Sequence, residues 1–189
     1  MVQATSEGMR LSELEKRLDT LGDHYSLFVS VKPTLVQKGI LTVAKNLVGK
    51  GIPGLFVSFN KPYLAVIEEL KKKEVNTEHI FFVDCVSSTA GIEQRSDNVL
   101  FLNSPANLTG LSIGITQFIE AIPGNKFLLI DTLQTLSIYL DSNTIAAFVR
   151  SLSAKTSKYP LRVVTISTPT PINEKIIPFF DDAIEVEDV

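Results

Sequence analysis

An aspartate that closes an apolar run can bind a divalent cation or hydrogen-bond nearby backbone or a neighbouring hydroxyl, and Phe127-Leu128-Leu129-Ile130-Asp131 ends this way, with Thr132 next to it. A second group lies in Val31-Lys32-Pro33-Thr34-Leu35-Val36-Gln37-Lys38-Gly39. Lys32 and Lys38 flank the expected start of a helix, where the dipole favours anions. Both read as solvated surface lysines, with a phosphate contact as the alternative. Thr34 reads as the N-cap of that helix, with a Mg²⁺ contact as the alternative. Asn60 and Lys61 follow a further apolar run, and Glu68 and Glu69 read as the solvated face of the next helix. Asp84-Cys85 ends a third run, at the sheet edge where open α/β sheets bind ligands. No histidine adjoins Cys85 to activate it, so an inert, partly buried thiol is expected. His24 and His79 stand at strand edges without a carboxylate–histidine pattern. Asp181, Asp182, Glu185, Glu187 and Asp188 form an acidic terminus that reads as solubilising.

The elements that must position these residues follow from periodicity. Leu11, Leu14, Leu18 and Leu21 recur at helical spacing, with Ser6 as a candidate N-cap and Gly22 as a stop. This stripe is expected to pack on the protein's own core, with dimerisation as the alternative. Strands are predicted over 25–31, 55–59, 80–83, 99–102, 127–130 and 161–166, with a last one around Ile184 and Val186. Helices are predicted over 35–48, from Pro62 with Leu64, Ile67 and Leu70 inward, from about Asn107 with Leu111, Ile115, Phe118 and Ile122 inward, and over 144–153. Strands that are apolar throughout, alternating with helices, predict a three-layer α/β/α fold with a mostly parallel sheet and the 127–130 strand in its middle. The expected organisation is an N-terminal amphipathic helix over 1–22 and a core domain over 23–189.

Three passages in order carry a resemblance. Gly51-Ile52-Pro53-Gly54-Leu55-Phe56-Val57-Ser58-Phe59 looks like the turn and strand of KaiC-type domains. Phe127 to Leu133 looks like a Walker B strand, and Phe180-Asp181-Asp182-Ala183-Ile184-Glu185-Val186 is similar to the closing strand of those domains. Together they make the chain resemble the RecA/KaiC type of P-loop ATPase over about residues 24 to 187, and most nearly a small archaeal-type branch of single KaiC-like domains that has lost ATPase activity.

The resemblance also exposes what is missing. Such ATPases need Gly-x-x-x-x-Gly-Lys-Ser/Thr after the first strand, so that bare backbone N–H groups wrap the phosphates. No glycine lies between Gly22 and Gly39, Leu35 and Val36 are branched, and Pro33 lacks an N–H. Where active KaiC-type domains carry acidic residues after the second strand, one of which polarises the attacking water, this chain has Asn60 and Lys61. Asp131 is the retained element, with no Mg·ATP to coordinate.

The whole chain bounds the rest. It has 189 residues, 44% of them hydrophobic, and a net charge of −3, which disfavours a broad nucleic-acid surface. One cysteine and no signal-peptide pattern predict a cytoplasmic protein, and no stretch approaches the roughly 18 apolar residues of a membrane span. The expected function is that of a catalytically inactive RecA/KaiC-like domain, a regulatory or protein-binding module in signal transduction, without catalytic residues, cofactor or metal. RecA relatives assemble through their edges, so the resemblance implies self-association or a protein partner. The alternative is binding of nucleotide (ATP or ADP with Mg²⁺) or another anion through the altered loop, at the vestigial positions Lys32, Thr34, Lys38, Asn60, Lys61 and Asp131.

Overall fold

The computed structural model describes residues 9–92 and 96–187. In chain order the elements are α1 (Leu11–Thr20), β1 (Tyr25–Val31), α2 (Val36–Gly49), β2 (Gly54–Ser58), α3 (Tyr63–Lys72), β3 (Ile80–Asp84), β4 (Val99–Phe101), α4 (Leu108–Ala121), β5 (Lys126–Ile130), α5 (Ser142–Thr156), β6 (Leu161–Ser167), α6 (Asn173–Ile176) and β7 (Asp182–Val186). Short 3-10 turns precede α2 at Pro33–Leu35, follow β5 at Leu133–Ile138 and follow α6 at Ile177–Phe179.

The seven strands form one sheet in the order β4-β3-β2-β5-β6-β1-β7, and every pairing is parallel. β5 is therefore the central strand, and all five of its residues are buried. Because strand side chains alternate between faces, the apolar runs feed two cores. One face presents Phe28, Val57, Leu128, Ile130 and Val163 to α4, α5 and α6. The other presents Leu27, Val29, Phe56, Leu129, Val164 and Ile166 to α1, α2 and α3. The result is the expected three-layer α/β/α architecture.

Two close approaches set the sheet's geometry. Gly51 takes φ +69° in the turn that feeds β2, a conformation that costs glycine little. At Gly54 the Phe127 ring lies where a Cβ would stand, 1.9 Å from its nearest atom, so the aromatic side chain on β5 packs flat against bare β2 backbone.

Several expectations change in detail. Leu14 and Leu18 are fully buried against α2, so the leucine stripe packs on the protein's own core. Ser6 lies outside the described residues. The N-cap of α1 is Arg10, whose N–H donates to the Glu13 carboxylate at 2.8 Å. On α3 the inward residues are Tyr63, Val66 and Leu70, while Leu64 is 41% exposed. The helix begins one residue after Pro62, and Tyr63 packs tilted against Phe82 and edge-on against Phe101, which rotates Leu64 outward. On α4 Ile119 is buried, and Ile122 lies past the helix end, half-buried. Met9 bridges to Val186, and its N–H donates to the Glu185 carbonyl at 2.8 Å, so backbone also covers the β7 edge of the sheet.

Candidate functional site

β5 delivers Asp131 to the carboxyl end of the sheet, between β2 and β6. Its carboxylate is 3% exposed. Oδ1 accepts from the Phe59 N–H at 2.6 Å and from the Thr132 hydroxyl at 3.2 Å, and Oδ2 accepts from the Ser58 hydroxyl at 3.0 Å. Burial pushes this carboxyl up to about 6, against the opposing pull of those hydrogen bonds. Thr132 is held at φ +40°, a left-handed backbone that costs a threonine roughly 1–2 kcal/mol. There it bonds both Asp131 and the Asn60 side-chain amide. Asn60 in turn accepts from the Thr135 hydroxyl at 2.7 Å. Asp131 thus ties the β2–α3 loop to the end of β5.

That loop carries Lys61 toward α2 and α3. The ammonium of Lys61 donates to Glu69 Oε1 at 2.5 Å and to Gln37 Oε1 at 2.8 Å, and the Gln37 amide nitrogen donates to the other Glu69 oxygen. The three side chains form a closed ring of polar contacts. Beneath it is a cleft of about 80 Å³ floored by Ile40, Leu41, Phe56, Val66 and Leu70, with Asn60 and Asp131 also on its walls. Glu69 is therefore not part of a solvated face. Its side chain is 32% exposed and paired, whereas Glu68 is exposed as expected. No single-sequence signal joins these partners, because Gln37 stands 32 residues from Glu69 and only the packing of α2 beside α3 brings them together.

The connection between β1 and α2 is a 3-10 turn over Pro33–Leu35 with Leu35 buried. Lys32 and Lys38 are exposed, as expected of solvated lysines. Thr34 is not the cap expected of it: it sits inside the 3-10 turn, and the cap positions fall at Lys32 and Leu35, neither with a side-chain cap bond. Pro33 starts the chain turning before threonine is reached, which moves the helix boundary off Thr34. No residue from 32 to 38 has a positive φ. An anion nest alternates right- and left-handed residues so that successive N–H groups converge. This backbone does not, and one of its units lacks an N–H altogether. The loop therefore lacks the converging N–H groups with which a P-loop holds phosphate.

Sequence reasoning also missed the part played by Asp84. Fully buried at the end of β3, it accepts from the N–H groups of Tyr63, Val86 and Ser87, each at 2.8 Å, and from the Ser87 hydroxyl at 2.6 Å. It caps the first turn of α3 from a neighbouring strand. Cys85 beside it is fully buried, more so than expected. Burial first, and the nearby charges of Asp131 and Asp84 next, push its thiol well above the usual range. His24 bonds the Tyr159 carbonyl at 2.7 Å, and His79 is exposed. Asp181 and Asp182 do more than solubilise. Asp181 accepts from the Ser26 N–H at 2.7 Å, and Asp182 pairs with Arg17 at 2.7 Å. Asp188 lies outside the described residues. Among the described residues, no group of three or more His, Cys, Asp or Glu side chains is placed to hold a metal ion, and no helix is long and apolar enough to cross a membrane.

No family model matches the chain, and no curated protein matches it. Solved structures do. An uncharacterized protein of Pyrococcus horikoshii, PH0321, solved in complex with an unknown peptide, aligns over 94% of this chain and 84% of its own, at a TM-score of 0.68 and 12% identity. The KaiC-like protein PH0186 of Pyrococcus horikoshii OT3 aligns over 77% of this chain and 61% of its own, at a TM-score of 0.54 and 14% identity. A third structure, that of an ATPase domain, aligns over 92% of this chain and 68% of its own, at a TM-score of 0.50 and 14% identity. At such identities the likeness is one of fold: the chain has the RecA-like P-loop NTPase fold found in KaiC-like proteins.

Proposed function

We propose that this RecA/KaiC-like domain has no ATPase activity and acts as a regulatory, protein-binding module. The observation that carries the reading is the backbone between β1 and α2, which presents a 3-10 turn with a proline and a buried leucine in place of a nest of N–H groups. Two further features support it. Both oxygens of Asp131 are engaged by the protein's own donors, and the positions after β2 hold Asn60 and a cationic Lys61 committed to Glu69. Phosphoryl transfer depends almost wholly on positioning and charge stabilisation, so losing both removes the rate. A peptide in the PH0321 structure supports a protein partner for a domain of this shape. The test is phosphate release from ATP with Mg²⁺. Turnover by purified protein is expected at background, and turnover abolished by Asp131→Ala would establish the altered loop as an ATP site instead.

A further inference from the structure

The ring formed by Gln37, Lys61 and Glu69 has the construction of a ligand site with its occupant in place. Each oxygen of the Glu69 carboxylate takes a different donor, the Lys61 ammonium on one and the Gln37 amide on the other. Lys61 and Gln37 also bond each other at 2.8 Å, independently of Glu69, so the two donors stay oriented if the carboxylate leaves. Glu69 has a path out to solvent, since its side chain is 32% exposed. Below the donors the floor is aliphatic and aromatic, formed by Ile40, Leu41, Phe56, Val66 and Leu70. A cavity of about 80 Å³ is several times the roughly 10–15 Å³ that one water needs, so it has room for a small group of atoms.

We propose that Lys61 and Gln37 form a carboxylate-binding grip, that Glu69 is its internal occupant, and that a short aliphatic carboxylate enters the cleft by displacing Glu69. The donor pair supplies charge-assisted bonds to both ligand oxygens. The apolar lining suits a short aliphatic tail and leaves longer or polar tails unmatched. Glu69 keeps the site shut until ligand is present, because an intramolecular carboxylate competes at high effective concentration. Asp131, on the wall of the cleft, directs its oxygens at the loop rather than at the grip. The inference goes beyond the module reading and does not require it, since no nucleotide takes part.

The experiment is a titration with isobutyrate, followed by the side-chain amide signals of Gln37 in two-dimensional NMR. Isobutyramide serves as the uncharged isostere. Wild type is expected to bind only at tens of millimolar isobutyrate. Glu69→Ala should bind at least tenfold more tightly, and adding Lys61→Met to Glu69→Ala should abolish the gain. Glu69→Gln, which preserves shape, provides a second uncapped variant should Glu69→Ala melt early. Equal binding by wild type and both Glu69 variants, equal binding of isobutyramide, or shifts confined to residues away from the cleft would each overturn the proposal. ATP turnover is measured on the same samples and bears on the module reading alone.

Discussion

Asp131 secures the β2–α3 loop at a cost that depends on pH. Its folded value of about 6 lies above the ordinary 3.8, so the folded state favours the protonated form. The stabilisation that a proton brings is fully present below about pH 4 and is lost as pH rises through 6. A displacement of this size corresponds to a few kcal/mol, on the order of 1.4 per unit. Asp131→Asn removes the titration, retains an oxygen for the Phe59 N–H and sets an uncharged amide beside the Ser58 hydroxyl. Urea midpoints measured from pH 4 to 7 should therefore show wild type losing stability relative to Asp131→Asn as pH rises. Parallel curves for the two proteins would contradict this. The role of Asp131 as a bonded strand-end carboxylate was legible from its place after an apolar run. The Glu69 ring and the Asp84 cap were not, because both join residues that only tertiary packing makes neighbours.

At the scale of elements, the informative case is α1. Its leucine spacing is compatible with a dimer seam or with a core face, since both demand an apolar stripe. Complete burial of Leu14 and Leu18 beside α2 makes the helix part of one of the two cores, and Arg17 adds a surface contact to Asp182. Leu14→Ala should lower stability by about 2–5 kcal/mol, the cost of deleting a buried leucine. It should do so at any protein concentration. A loss near zero, or one that appears only on dilution, would mark α1 as peripheral or as a seam between copies. The buried face of α3 departs from its predicted one for a related reason. Leu64 and Val66 are both apolar, so pattern alone leaves the helix rotation open, and the aromatic contacts of Tyr63 with Phe82 and Phe101 close it.

For the molecule as a whole, the sheet is intact while the β1–α2 backbone forms no nest of N–H groups, so on the proposed reading ligand-free stability is expected to be nearly complete stability. Adding 1 mM ADP with Mg²⁺ should raise the melting temperature by less than about 2 °C. A millimolar site contributes only about 0.4 kcal/mol at that concentration, and a chain of this size shifts roughly 2–4 °C per kcal/mol. A rise of 5 °C or more in a thermal-shift assay would indicate a site of roughly 10–100 μM or tighter and refute the reading of the loop. The parallel order with β5 in the centre also keeps Asp131 3% exposed. A strand at the edge would have left that carboxylate in water, with an ordinary titration.

The sequence by itself determined the layers. Near-continuous apolar runs such as Phe127 to Ile130 can be satisfied only by burial on both faces, and helices between them enforce parallel crossovers. It also determined the absence of a glycine-lined anion loop, because backbone freedom at 32–38 is a property of residue type. Tertiary structure alone decided which polar groups meet. Gln37 with Lys61 and Glu69, and Asp84 with the start of α3, depend on distances across helices and strands that no local spacing encodes. Burial decided the chemistry of Asp131 as well, since a carboxyl that would titrate near 4 in water sits at about 6 once it is shut away from solvent.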